Sequence, residues 1–293
     1  MARIKLEGAI DLHCHYGPDF IINPAHIAQA SVTAIQAAQE AAEAGFAAIV
    51  LKSHDFPTAA LAYTLNQVVP NVRTFGGITL DHQVGGLNPW AVEHALRLGA
   101  KIVWLPTVAS HQDYLNGLGP RLGYPGTGIR TTDDEGKLLP VIHEIIAMVA
   151  KHDAILATGH ITADENYAVI REFARRGRVI VTHAGEPAAG PHLTGAQCAE
   201  LANLGAFIEL TAQECVPHLG YPPCPLKEVA ERIDAIGPQK CVLSTDYGYS
   251  TEVPRPAPGM RDYIDGLWEI GVSEAKLKVM AADNAARLLG LKG

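Results

Sequence analysis

Short apolar runs rich in β-branched residues recur along the chain, and longer segments with helical spacing separate them. Several of these runs are almost continuously apolar, which is typical of parallel strands covered on both faces. The pattern predicts eight strands, at residues 8–13, 46–52, 73–80, 101–107, 154–160, 179–183, 206–210 and 241–246.

The segments between these runs carry helical signals. Residues 26–44 and 163–176 place apolar side chains at helical spacing, and Gly45 and Gly177 follow them as C-terminal stops. No Gly-rich phosphate-binding loop follows the first strand, as it usually does in an open doubly wound sheet. Alternation of eight strands with helices therefore predicts an α/β fold, a closed TIM-like (β/α)8 barrel.

Two further features add to this plan. Residues 124–139 predict a small hairpin insertion after the fourth strand, because "GIRTT" and "KLLP" flank the turn sequence "DDEG". Residues 261–270 and 273–289 predict helices that close the barrel at its C-terminal end. No charge run, repeat or low-complexity linker divides the chain, so we expect one domain over residues 1–293.

Composition narrows the range of partners. Hydrophobic residues make up 48% of the chain, which is enough for a large buried core. The net charge of −8 and the lack of a Lys/Arg cluster argue against nucleic acid, and no apolar run reaches the roughly 18 residues of a membrane helix. The N-terminus lacks a signal-peptide pattern, and five cysteines without a Cys-x-x-Cys pair fit reduced thiols. We therefore expect a cytoplasmic protein that acts on a small molecule, and a homo-oligomer stays open.

Histidines gather at the carboxyl ends of the predicted strands, the face where barrel enzymes build their active sites. His13 and His15 are two residues apart, so on an extended segment both side chains point to the same side and could share one ion. Neutral imidazoles with carboxylates suit a divalent metal, with zinc preferred and manganese, iron or cobalt as alternatives. For any single histidine, a hydrogen-bonded loop residue is the competing interpretation. The strand-end histidines are His13, His15, His54, His82, His111, His160 and His183.

Asp246 ends the eighth predicted strand in "CVLSTDYG". Closure of the barrel would bring it beside His13 and His15 on the first strand. A carboxylate at that place can bind the metal and accept a proton from attacking water. The alternative is an Asp that caps the following turn.

These residues together resemble the amidohydrolase superfamily of metal-dependent hydrolases. The shared pattern is His-x-His after strand one, single histidines ending strands five and six, Asp ending strand eight, and the C-terminal sequence "DNAARLLGL". More closely, "LKSHDFPT", "LPTVASH" and "LATGHITADE" resemble a poorly characterised amidohydrolase-like branch, which gives no substrate. The resemblance implies that His13, His15, His160, His183 and Asp246 are metal ligands, with Asp246 and His183 also acting in catalysis.

The number of ions depends on a bridging group. Two-metal members of that superfamily usually place a carboxylated lysine or a glutamate at the end of strand four, but here the strand reads "KIVWLPTVASH". Lys52, at the end of strand two, could supply a carboxylated bridge. Its alternative is a plain cation that binds an anionic substrate. We therefore expect one or two divalent ions.

Other polar residues are candidates for contact with the substrate. His54 and His111 follow strands two and four, Arg130 lies on the predicted hairpin, and His218 lies in the loop at residues 211–225. Glu209, at the end of strand seven, either hydrogen-bonds a ligand or simply points into the barrel.

The expected reaction is hydrolysis, in which metal-activated water attacks the carbonyl carbon of a cyclic amide, a lactone or a related C–N or C–O bond. A metal-dependent decarboxylase of the same superfamily is the first alternative. A phosphoesterase is another, because "DLHCHYGPD" also resembles the polymerase-and-histidinol-phosphatase family, although the final Asp-x-His motif of that family is absent after Asp246. A metal-binding protein without catalysis is the third alternative.

Overall fold

The computed structural model describes residues 7–19, 30–124 and 126–291. Eight parallel strands form one sheet in sequential order, which confirms the predicted barrel. Most strands are shorter than predicted because their last residues turn into the loops that carry polar side chains. The strands are β1 (Ile10–Cys14), β2 (Ala48–Leu51), β3 (Arg73–Thr79), β4 (Ile102–Trp104), β5 (Ile155–Ala157), β6 (Arg178–Val181), β7 (Phe207–Thr211) and β8 (Cys241–Ser244).

Helices follow the strands around the barrel. They are α1 (Ala34–Glu43), α2 (Ala59–Val68), α3 (Pro89–Arg97), α4 (His111–Leu115), α5 (Leu118–Arg121), α6 (Pro140–Lys151), α7 (Ala163–Phe173), α8 (Gly195–Asn203), α9 (Leu226–Ile236), α10 (Pro256–Glu269), α11 (Glu274–Lys278) and α12 (Asn284–Leu289). The helix predicted at residues 26–44 begins at Ala34 within the described residues, because the Thr33 side chain accepts a hydrogen bond from the Gln36 backbone and caps it. Residues 20–29 lie outside the described part of the chain.

The barrel closes between its first and last strands. The backbone N–H of Asp246 donates to the carbonyl of His13 at 2.9 Å, and the N–H of His15 donates to the carbonyl of Tyr247 at 2.9 Å. Gly248 permits this close approach, because a Cβ at that position would collide with the carbonyl oxygen of His15. Closure therefore brings the end of β8 against the His-x-His segment.

A change in β1 directs that segment into the barrel. Ile10 and Leu12 belong to the cluster inside the barrel, whereas Cys14 belongs to the cluster between sheet and helices. The pairing register with β2 shifts between Asp11 and Cys14, as at a β-bulge. A shift of one residue exchanges the two faces of a strand, so the side chains that follow Leu12 change sides.

The predicted hairpin and closing helices are both present. Thr132 pairs with Leu138 in antiparallel fashion, and the N–H of Asp133 donates to the carbonyl of Lys137 at 2.9 Å. The segment predicted as one helix at 273–289 is α11, a π-helical turn (Val279–Asp283) and α12. The Asn284 side chain donates to the carbonyl of Cys241 at 2.7 Å, which holds α12 at the amino end of the barrel.

All five cysteines are free thiols. Among the described residues, no helix combines the length and the apolar character that crossing a membrane requires.

Candidate metal centre

The His-x-His segment and the end of β8 form one compact ligand group. The Nε2 atoms of His13 and His15 lie 3.1 and 3.0 Å from Oδ1 of Asp246. One ligand atom from each residue lies within 4.8 Å of the others, as shared coordination of one ion requires. His13 Nε2 is buried and has no hydrogen-bond partner, so a cation would supply the missing interaction. The donor set, two imidazoles and a carboxylate, fits a divalent metal such as zinc.

Carboxylates behind the two histidines orient their rings. His13 Nδ1 lies 3.1 Å from Oε2 of Glu209, and His15 Nδ1 lies 2.9 Å from Oδ2 of Asp19. Each carboxylate accepts a hydrogen bond from Nδ1–H, which leaves the Nε2 lone pair free on the side of Asp246. Glu209 therefore points into the barrel and hydrogen-bonds a ligand candidate.

The charge of Asp246 is stabilised by its neighbours. Burial opposes the negative charge, but His13, His15 and His183 outweigh it and hold the pKa of Asp246 well below its usual range. Burial and Lys52 oppose a proton on His15, but its hydrogen bonds to Asp19 and Asp246 raise the pKa of His15 above its usual value. The site thus presents an ionised carboxylate between imidazoles.

The histidines that follow β5 and β6 face each other beside this group. The Nε2 atoms of His160 and His183 are 2.8 Å apart, and the His13 and His183 rings are 5.9 Å apart. Asp113 accepts a hydrogen bond from His160 Nδ1 at 2.6 Å, while His183 Nδ1 is buried without a partner. Burial lowers the pKa of His160 well below its usual value and that of His183 to about 4. Both rings are therefore neutral and able to act as ligands.

Two residues of the centre adopt backbone conformations that are uncommon for side chains with a Cβ. Asp246 has φ +59° and His183 has φ +23°. Such conformations persist where the surrounding structure imposes them, and they gather at functional sites.

Lys52 and His54 form a buried pair on the β2 side. Lys52 Nζ lies 2.9 Å from His54 Nε2, and His54 Nδ1 lies 3.0 Å from Oδ2 of Asp81. If His54 Nδ1–H donates to Asp81, its Nε2 accepts from Lys52. Burial lowers the pKa of Lys52, although nearby carboxylates oppose this. The predicted bridging role of Lys52 stays a prediction.

A pocket opens above these residues. Its volume is about 510 Å³ when the solvent-filled space at its open mouth is included. Apolar side chains form part of its wall, and polar side chains include the predicted His218. The lining residues beyond the histidine centre are Val108, Leu118, Leu122, Glu186, Ala189, Gln213, His218, Leu219 and Tyr249.

The structure does not bring His111 and Arg130 to the pocket wall. Arg130 Nη2 lies 2.9 Å from His111 Nε2, and Nδ1 of His111 lies 2.6 Å from the carbonyl of Thr127. The insertion pairs with the residue before α4 through Ile129 and Ser110, and Leu118 of α5 lines the pocket instead. The two predicted substrate residues therefore contact each other and the insertion.

Sequence reasoning missed several polar residues around the centre. Asp81 directly follows the third predicted strand, so the rule that selected the histidines would also have found it. Asp113 is the third residue of α4, where an acid looks like ordinary helix capping. Glu186 and Gln213 lie beyond the ends of β6 and β7, where no motif marks them.

Comparison with known proteins defines the fold. A comparison with curated sequences found no significant match. Solved structures with the same fold include an amidohydrolase from Pseudomonas aeruginosa (TM-score 0.61, 12% identity, covering 97% of this chain and 95% of that chain). They also include 2,6-dihydroxybenzoate decarboxylase from Rhizobium (TM-score 0.60, 14% identity, covering 98% of this chain and 100% of that chain). A third is a metallopeptidase from Rhodobacter sphaeroides (TM-score 0.58, 14% identity, covering 96% of this chain and 99% of that chain).

Sequence similarity at the family level covers most of the barrel. The sequence profile that matches extends over residues 8–209, from just before β1 to Glu209 within β7. The chain therefore belongs to DUF6282, which is described as a family of unknown function.

Proposed function

We propose that this protein is a metal-dependent hydrolase of amidohydrolase type. The observation that carries the proposal is the group of His13, His15 and Asp246, whose ligand atoms lie within 4.8 Å of one another. Two of these residues, His15 and Asp246, line a pocket. Zinc is the ion we favour, because nitrogen and carboxylate ligands suit it. The amidohydrolase and the metallopeptidase of the same fold support this reading.

The chain's own residues would bind, orient and move protons. A divalent ion bound by the three ligands would supply an activated water and polarise a carbonyl group. Oδ1 of Asp246 faces both histidines, which leaves its second oxygen to accept a proton and deliver it to the leaving group. His183 lines the pocket as a neutral ring, suited to contact the substrate or to hold a second ion.

The bond we propose is the carbonyl–nitrogen or carbonyl–oxygen bond of a cyclic amide, a lactone or a related compound. The apolar wall of the pocket at Leu118, Leu122 and Val108 suits the hydrocarbon part of such a ring. The cytoplasm is the compartment we propose, which the five free cysteines support.

The test combines elemental analysis with a substrate screen. We expect purified protein to carry one or two divalent ions per chain and to hydrolyse members of a lactam and lactone panel. Asp246→Asn should lose both properties, whereas Asp134→Asn, whose side chain is 96% exposed on the insertion, should lose neither. Full metal content in Asp246→Asn would contradict the ligand assignment, and no turnover of any compound by the metal-loaded protein would contradict the bond class.

A decarboxylase is the second candidate. Among the described residues, the one His/Asp group whose atoms converge is suited to a single ion, as the alternative expects. The Rhizobium decarboxylase has the same fold. Reaction in ¹⁸O-labelled water separates the two candidates, because hydrolysis places the label in an organic product, whereas decarboxylation releases carbon dioxide and requires no such label.

A further inference from the structure

The pocket contains buried polar atoms that the protein itself leaves unsatisfied. Gln213 lies in the short helical turn (Ala212–Cys215) after β7, and neither its amide nitrogen nor its amide oxygen has a hydrogen-bond partner. Oε2 of Glu186 also has none. Both residues are 2% exposed and both line the pocket. Unpaired buried polar groups are costly, so these atoms need a partner from outside the protein.

The other oxygen of Glu186 is fully engaged. Oε1 accepts hydrogen bonds from the N–H of Ala188 at 2.8 Å and from Nε2 of His218 at 2.7 Å. Nδ1 of His218 lies 2.9 Å from the carbonyl of Val216 and donates to it. Both ring nitrogens of His218 therefore donate, which gives the ring a positive charge that offsets the charge of Glu186. A neutral hydrogen-bond donor is the partner that suits Oε2.

We propose that Glu186 and Gln213 form a subsite for a –C(=O)NH₂ group, a primary carboxamide or ureido terminus, and that His218 is its positioning residue. This group presents two N–H donors and one carbonyl acceptor. The free atoms of the subsite are two acceptors, Oε2 of Glu186 and Oε1 of Gln213, and one donor, Nε2 of Gln213. The assignment of this group to a substrate rests on the proposed function.

The experiment measures binding rather than turnover, with three probes that share the 3-phenylpropanoyl group. The probes are 3-phenylpropanamide, its N,N-dimethylamide and methyl 3-phenylpropanoate, whose phenyl group suits the apolar wall. Titration of the whole protein, followed by ligand-observed NMR, should show the primary amide binding at least about tenfold more tightly than the other two, because both lack its N–H donors.

Two variants test the residues. Gln213→Leu removes a donor and an acceptor, and should bring the three probes within about threefold of one another. Glu186→Gln keeps an oxygen for Ala188 and His218 but turns an NH₂ group toward the pocket, so it should disfavour the amide and favour the ester. Gln112→Leu is the matched control, because Gln112 on α4 lies outside the pocket and its amide donates to Asn116, just after that helix. Its loss should leave the preference intact.

Equal binding of the three probes to wild type would overturn the inference, as would a preference that survives in either variant when metal content and thermal unfolding match wild type. If Gln213→Leu does not fold, Glu186→Gln alone decides, because its change is isosteric. The failure of the proposed function looks different: the amide preference would be present while the metal-loaded protein hydrolyses nothing.

Discussion

Asp113→Asn tests how the His160 ring is held in position. Oδ2 of Asp113 lies 2.6 Å from His160 Nδ1, and Oδ1 accepts the N–H of Gly190 at 2.7 Å. Asparagine has nearly the same shape but only one acceptor oxygen. It can satisfy the Gly190 N–H or the His160 Nδ1–H, but not both, and its NH₂ group then faces a donor.

The expected cost follows from these two contacts. If the loop at Gly190 keeps its hydrogen bond, His160 must move its proton to Nε2, the atom that faces His183 at 2.8 Å. The Nε2 lone pair of His160, which would bind a metal or the substrate, is then no longer available. Loss of a partner behind a functional histidine typically costs 10–100-fold, or about 1.4–2.8 kcal/mol.

The assay separates this positioning effect from a general loss of structure. We expect kcat to fall about 10–100-fold in Asp113→Asn, while the ion at His13, His15 and Asp246 is retained, since Asp113 contacts none of these residues. Asp134→Asn, exposed on the insertion, is the matched control. A kcat within about threefold of wild type would refute the reasoning, and so would an equal loss of kcat in the control.

Three further outcomes are expected. Asp246→Asn should weaken metal binding by more than the roughly 10–100-fold that is typical when a residue hydrogen-bonded to a metal ligand is lost, because it removes an anionic ligand directly. Unchanged affinity in a metal titration would exclude Asp246 as a ligand. Lys52→Ala should keep the metal-to-chain ratio and raise KM about tenfold, because Lys52 lines the pocket and would lose a hydrogen bond to the substrate. A halved ratio, restored by added small carboxylates, would instead support a carboxylated bridge. His218→Gln should lower stability by about 1.5–3 kcal/mol at pH 6 and by less at pH 9. Although burial opposes it, Glu186 raises the pKa of His218. The stability that the protonated His218 contributes is therefore fully present below about pH 6.5 and is lost as the pH rises through the pKa of His218 in the folded protein. Equal thermal destabilisation at both pH values would contradict this.

The strands and the proximity of His13, His15 and Asp246 were predictable, because they depend on short-range patterns and on the closure of the barrel. Apolar runs mark buried parallel strands, and barrel closure makes the end of β8 a neighbour of β1. The two hydrogen bonds that join His13 to Asp246 and His15 to Tyr247 confirm that neighbourhood. The bulge that turns the His-x-His side chains into the barrel was not predictable, because it depends on pairing with β2 and not on the local sequence.

Residues whose roles depend on distant contacts escaped prediction. Asp113 and His160 are separated by 47 positions, and nothing in the sequence of α4 marks Asp113 as the hydrogen-bond partner of His160. Arg130 was predicted to reach the substrate because it lies on an insertion at the correct end of the barrel. The insertion is instead attached to α7, because Glu165 is buried and accepts a hydrogen bond from the N–H of Thr131 at 2.6 Å.

Glu209 connects His13 of the proposed ligand group with His183 beside it. Its Oε2 accepts hydrogen bonds from Nδ1 of His13 at 3.1 Å and from the backbone N–H of His183 at 3.0 Å. Burial opposes its charge, but these two histidines outweigh burial and lower the pKa of Glu209. One ionised oxygen therefore orients the His13 ring and also holds the backbone of His183, whose φ is positive. Because both interactions share that oxygen, the orientation of the His13 ring and the backbone position of His183 depend on the same side chain.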